Sequence, residues 1–227
     1  MVIARSAQAP RIGGRELVDA WETAVEESGL PLHRAAGRAR GRVAFGAPLQ
    51  LGIAAEHELA EIFLAERAPT WRVREALVAA VPTGWSLVDL YDVWAGGPPL
   101  AGRVIDADYR IELETAADAA SIASAARALL EAADLPRTRQ KGGATIPYDL
   151  RPLLVNVTLD MSAAPLTLRV RTRIHPELGT GRPEEVVAAL GDRCGRALEV
   201  RSIVRERLIL ADDPAWAGPL TGVDGVP

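Results

Sequence analysis

Apolar residues recur along this chain at two spacings, and the change from one to the other marks out the elements. From Arg15 to Ser28 the positions Leu17, Val18, Trp21, Ala24 and Val25 return at helical spacing. Gly29 and Pro31 supply the stop. A short strand is predicted before this helix, over Val2 to Ala7. Two strands are predicted after it, Val43 to Leu51 and Leu59 to Leu64, with Glu56-His57-Glu58 near the entry to the second. Thr70 can cap a second helix, Val73 to Val81, which Pro82 and Gly84 close. Trp85 to Trp94, rich in Val, Leu, Tyr and Trp, reads as a strand. The order is β-α-β-β-α-β.

Gly96-Gly97-Pro98-Pro99 interrupts the pattern near the midpoint, as a linker does. A similar order then returns. Ala107 to Leu113 alternates, with Tyr109, Ile111 and Leu113 on one face. Ala116 to Ala133 is an alanine-rich helix, and a basic strand runs from Leu135 to Lys141. Pro152 to Met161 alternates with Leu153, Val155, Val157 and Leu159 inward, and Leu166 to Ile174 is the next strand. Pro183 opens a helix over Pro183 to Leu190 that Gly191 ends, and Leu198 to Leu210 is a final strand. The nonapeptides REALVAAVP (Arg74 to Pro82) and PEEVVAALG (Pro183 to Gly191) hold equivalent places.

The expected fold is therefore α+β, made of two tandem ferredoxin-like (β-α-β-β-α-β) units with antiparallel sheets. The units span 1–95 and 107–210, joined by a linker over 96–106 and followed by a loose tail over 211–227. The two sheets can lie side by side or form one.

Composition narrows the chemistry. Cys194 is the only cysteine, so this chain offers neither an internal disulfide nor a multi-thiolate cluster or zinc site. One thiol and no secretory pattern at Met1 to Pro10 point to the cytoplasm. No apolar run approaches the roughly 20 residues that cross a bilayer, so no membrane partner is expected. The net charge is −4, yet Lys141 is the only lysine among 26 basic side chains. Nearly every cation is thus a guanidinium, whose planar fork suits phosphate and carboxylate. A GC-rich coding sequence gives the same bias.

Three stretches gather this chemistry. Arg34, Arg38, Arg40 and Arg42 lie on a Gly/Ala-rich loop, where backbone N–H groups can approach an anion. Arg169, Arg171, Arg173 and His175, in LRVRTRIH, are spaced by two and share one sheet face. Such a row repels itself unless anions or carboxylates stand opposite. Arg137, Arg139 and Lys141 extend the same patch. These eleven residues are the candidate anion- or RNA-binding set. RNA-recognition sheets also stack bases on aromatics, and none interrupts LRVRTRIH. GTGRPEE (Gly179 to Glu185) enters a helix, but its two glutamates suit capping better than anion binding. EHE is a poor metal site because alternation sends His57 away from both neighbours. No metal or other cofactor is expected, no catalytic residue is indicated, and no nucleophile elbow or triad frames the Ser, His and Asp residues.

Three longer stretches resemble the radical-SAM-linked protein family, a bacterial domain of unknown function found fused to or encoded beside a radical SAM protein. They are RELVDAWETAVEESGLPL, VAFGAPLQLGIAAEHELAEIFL, and YDLRPLL followed by GTGRPEEVVAALG. The second is similar to the family's Ser-Phe-x-x-Pro-Leu-Pro-Leu-Gly stretch. The third is similar to its Asp-Leu-Arg-Pro-Leu segment and Arg-Pro-Glu-Glu helix start. The family's Gly-Phe-Asn-Pro-His-Pro is replaced by Gly37-Arg38-Ala39-Arg40-Gly41-Arg42, and its Ser-His before the first helix by Gly14-Arg15. The resemblance implies an accessory or substrate-binding protein acting with a separate radical SAM protein. This chain has no Cys-x3-Cys-x2-Cys to hold that enzyme's cluster. An RNA-binding module and a stand-alone enzyme on a small anion are the alternative readings.

Overall fold

The computed structural model describes residues 1–37, 39–93, 96–114, 119–141 and 143–211. In chain order the elements of the first half are β1 (Val2–Arg5), α1 (Gly14–Glu27), β2 (Val43–Phe45), β3 (Ala54–Ile62), α2 (Thr70–Ala80) and β4 (Trp85–Asp89). A single helical turn, α3 (Leu100–Arg103), leads into β5 (Val104–Leu113). Then come α4 (Ala119–Glu131), β6 (Pro136–Lys141), β7 (Ala144–Asp149), β8 (Leu154–Asp160), β9 (Thr167–His175), β10 (Gly179–Thr180), α5 (Pro183–Cys194) and β11 (Val200–Leu210).

The protein is a mixed α+β fold. Nine strands form one sheet, ordered β10-β9-β5-β11-β3-β1-β4, with β2 also pairing β3 and β8 also pairing β9. Every ladder in it is antiparallel except the one between β11 and β3, which matches Val204 with Ala54 and Arg205 with Ala55. That short parallel ladder makes the two halves one sheet. β6 and β7 stand apart as a two-stranded hairpin.

Two apolar clusters hold the layers together. One packs α1 and α2 on the first half: Trp21 meets Trp85 and Phe45 edge to face, at 5.5 and 6.3 Å between ring centroids. That geometry suits the ring quadrupoles. The other packs Ile122, Ala126 and Leu129 of α4 and Val186, Ala189 and Leu190 of α5 onto Ala107, Tyr109, Ile111, Val157, Leu168 and Val170. Ile203 of β11 touches both clusters.

Several boundaries differ from the pattern-based expectation, for local reasons. β2 stops at Phe45, not Leu51, because the chain bends at Gly46 and Ala47 and turns at Leu51 and Gly52. β3 begins at Ala54, not Leu59, so Glu56-His57-Glu58 lies in its middle. β4 ends at Asp89, short of Leu90 to Val93, and Trp94 lies outside the described residues. β7, which carries Pro147, was not expected as a strand; it pairs residue by residue with β6. The tail over 212–227 and Arg38 lie outside the described residues.

Candidate anion-binding arginines

β5 and β9 present alternate residues to opposite faces of the sheet. Ala107, Tyr109, Ile111 and Leu113 of β5 are buried beneath the helices. Asp106, Asp108 and Arg110 therefore turn outward. Across the ladder they stand opposite Arg173, Arg171 and Arg169. The first two pairs are of opposite charge. Arg171 grips Asp108 through both oxygens, at 2.6 and 2.9 Å. Arg173 lies 3.6 Å from Asp106.

The third pair, Arg110 and Arg169, is of like charge. An irregularity in β11 resolves it. Arg205 stands opposite Tyr109 and Arg207 opposite Asp108, so Glu206 is an extra residue between them. Its carboxylate accepts from Arg110 at 2.7 Å and also from Arg169. Arg207 reaches Asp108 at 2.8 Å, and Glu56 of β3 binds Arg110 from the other side. Among the described residues, five guanidinium groups on this face thus meet four carboxylates. The row is nearly neutralised where it stands.

The carboxyls record this. Burial would push Asp108 up, but the hydrogen bonds from Arg171 and Arg207 outweigh it and hold the group below its ordinary value. Burial dominates at Asp106, whose carboxyl is pushed up because Arg173 and Arg171 offset it only in part. Its Oδ1 has no hydrogen bond.

Arg205 turns the other way from Glu206 and is 1% exposed. It binds both oxygens of equally buried Glu58, one of them at 2.5 Å, and donates to the Pro48 and Ala47 carbonyls at 2.9 and 3.3 Å. Burial works against its charge, yet Glu58 more than offsets this and raises its pKa. Burial also raises that of Tyr109 beside it. This pair ties β3, β11 and the turn after β2 together. His57 is set apart from both glutamates, with Nδ1 3.1 Å from the Glu206 carbonyl. No grouping of three or more His, Cys, Asp or Glu that could hold a metal occurs among the described residues.

The basic loop is docked on α1. Glu26 accepts from Arg34 at 2.7 Å and from the Gly41 backbone at 2.5 Å, and Arg40 donates to Thr23 at 2.9 Å. The Arg34 and Gly41 bonds hold the Glu26 carboxyl below its ordinary value. Arg42 is exposed. No hydrogen bond or ion pair among the described residues joins this loop to Arg169, Arg171 or Arg173.

The hairpin is different. Arg137 stands opposite Tyr148 and Arg139 opposite Ile146, so all four share one side. Arg137 pairs with Asp192 of α5 at 2.6 Å. Arg139 lies over the Tyr148 ring, its Cζ 5.3 Å from the centroid, and no carboxylate among the described residues pairs with it. The Nε atoms of both arginines are buried and lack hydrogen-bond partners. A buried donor left unpaired costs about 1–3 kcal/mol. Gly179 of β10 has φ +93°, and a Cβ there would come within 2.9 Å of Arg139 Nη1. Since β10 ladders onto His175 and Ile174, the hairpin abuts the end of β9. His175 itself caps the turn, its Nδ1 accepting from the Glu177 and Leu178 backbone at 3.2 Å each. The side chain of Lys141 lies outside the described residues.

Sequence reasoning missed Asp106, Asp108 and Glu206 as partners of the row, and Tyr148 as the platform for Arg139. The acids could have been found: DADYR in β5 carries opposite charge at the same spacing as RVRTR in β9. The glutamate could not, because it depends on the irregular register of β11.

The fold and its outer face define a mixed α+β protein with a charge-laddered sheet and an arginine-bearing hairpin at its edge. Residues 2–186 match the model of an uncharacterized protein family conserved in bacteria (DUF2344), and the chain belongs to that family. No curated protein matches it. A solved structure titled "Crystal Structure of a Cbf5-Nop10-Gar1 Complex" aligns with a TM-score of 0.49 at 8% identity, over 91% of this chain and 48% of that one. The chain thus spans about half the length of that protein. No helix among the described residues is long and apolar enough to cross a membrane.

Proposed function

We propose that this protein is an accessory binding component that takes an anionic ligand through its arginines and works beside a separate radical SAM enzyme. The observation that carries the anionic ligand is the hairpin. Arg139 is held against a tyrosine ring with no carboxylate partner among the described residues, while the nearby row is compensated. Within the arginines read from the sequence, the ligand's charge is taken at the hairpin, and Arg169, Arg171 and Arg173 stiffen the face beside it. The enzyme partner rests on the resemblance of the three quoted stretches, and the single thiol fits a division of labour in which the cluster sits on the partner. We also read the chain as a doubled β-α-β-β-α-β unit, 1–95 and 107–210, which the repeated element order supports.

The test is co-expression with a radical SAM protein from the same genome, followed by size-exclusion chromatography. A stable complex is expected. Recovery of the free chain alone contradicts the partner. Binding of single-stranded RNA whose affinity falls steeply with salt would replace this reading with that of an RNA-binding module.

A further inference from the structure

We propose that Arg139 and Tyr148 form a clamp for a single oxyanion of the phosphate class, set on the β6–β7 hairpin where it abuts β10. The proposal rests on the reading of this chain as an anion-binding component and names where the charge sits and which chemistry it has.

The cluster is rich in donors. Arg139 lies over the Tyr148 ring, and no acceptor among the described residues takes its terminal N–H groups. Stacking on an aromatic face fixes the plane of a guanidinium without using its outer N–H donors. Its Nε is buried and unpartnered, as is that of Arg137. Gly179 permits the close approach of Arg139 to β10, since any Cβ would press on Nη1. Arg137, opposite Tyr148 in the ladder, is anchored by Asp192 and so fixes one side of the cluster.

The Tyr148 hydroxyl senses all of these groups. Its pKa is raised, first by burial and then by Glu185, against the opposing fields of Arg182, Arg137 and Arg139. It therefore stays protonated at neutral pH and can donate. Of the cations around it, Arg137 is already paired with Asp192, which leaves Arg139 as the guanidinium beside the ring without a carboxylate partner among the described residues. A ligand that only accepts hydrogen bonds completes such a set, and a phosphate group offers several charged oxygens to paired guanidinium donors.

The experiment titrates the full-length protein with inorganic phosphate by isothermal calorimetry at low salt. Arg139→Gln, Tyr148→Phe and Arg169→Gln are compared with the unaltered protein, each checked for an unchanged melting curve. Saturable binding in the region of about 1 mM or tighter is expected for the unaltered protein. Arg139→Gln should weaken it about tenfold or more, and Tyr148→Phe, which keeps the ring, by a smaller factor. Arg169→Gln should bind as the unaltered protein does. Phosphate binding that survives Arg139→Gln, or falls with Arg169→Gln instead, overturns the clamp and leaves the broader anion-binding reading standing. Absence of phosphate binding with retained binding of a dicarboxylate overturns the phosphate class. Absence of binding to either anion overturns both the clamp and the broader reading.

Discussion

β9 and β6 each carry arginines at alternate positions, and the molecule uses the two sets in different ways. On β9, Arg169, Arg171 and Arg173 face strands that bring Asp106, Asp108 and Glu206 to them. On β6, Arg137 and Arg139 face a partner strand that brings Ile146 and Tyr148. One set is held by carboxylates, and the other by a ring, a glycine and a single aspartate. The difference teaches that a row of like charge is read from its cross-strand partners. Guanidinium groups already matched by acids belong to the scaffold, and those without an acid are available for a ligand.

Predictions that break or sharpen this contrast run from large to small. The most deeply buried pair marks the scaffold extreme. Glu58→Gln leaves Arg205 charged and unpaired in the interior, and should cost about 3–5 kcal/mol in a denaturant titration. Replacing both Glu58 and Arg205 with apolar residues should cost less than the single change.

Asp108 comes next, since three hydrogen bonds from Arg171 and Arg207 converge on it. Asp108→Asn should cost about 1.5–3 kcal/mol at neutral pH. Because its folded pKa lies below the ordinary value, its contribution is present above that value and is lost as pH falls through the folded one. The substitution should therefore flatten the acid side of the stability profile. Asp106 has the opposite sign. Its folded pKa is raised, so its charge works against folding once pH climbs through the ordinary value toward the raised one. Asp106→Asn should leave stability at neutral pH unchanged or higher, as thermal melts would report. A loss comparable to that of Asp108→Asn would contradict the assignment.

Arg169 is 47% exposed, and its pair with Glu206 is correspondingly screened. Arg169→Gln should cost no more than about 1 kcal/mol. Arg139→Gln should cost the least, within about 0.5 kcal/mol, because no carboxylate is left behind.

Part of this was legible in the chain. α1, α2 and α5 show clear helical spacing, and the alternation of β8 and β9 is plain; α5, though, runs past the expected stop at Gly191 to Cys194 and ends at left-handed Gly195. β3 was harder: AAEHELAEI mixes alanine and charge, which are poor strand signals in isolation. Glu56 and Glu58 are satisfied by Arg110 and Arg205, distant in sequence. β7 was hidden by Pro147, tolerated in a two-stranded ribbon where one edge needs no donor. The ladder that joins the halves is two residue pairs between β11 and β3, which no local pattern announces. The candidate site was half visible, because LRVRTRIH displays its charge but not the acids opposite.

The most direct test of the division between scaffold and binding arginines pairs two variants, Arg171→Gln and Arg139→Gln, each measured for thermal stability and phosphate affinity. The account predicts that Arg171→Gln melts earlier and still binds phosphate, while Arg139→Gln melts normally and binds it weakly. The reverse pattern, or both variants losing the same property, would contradict it.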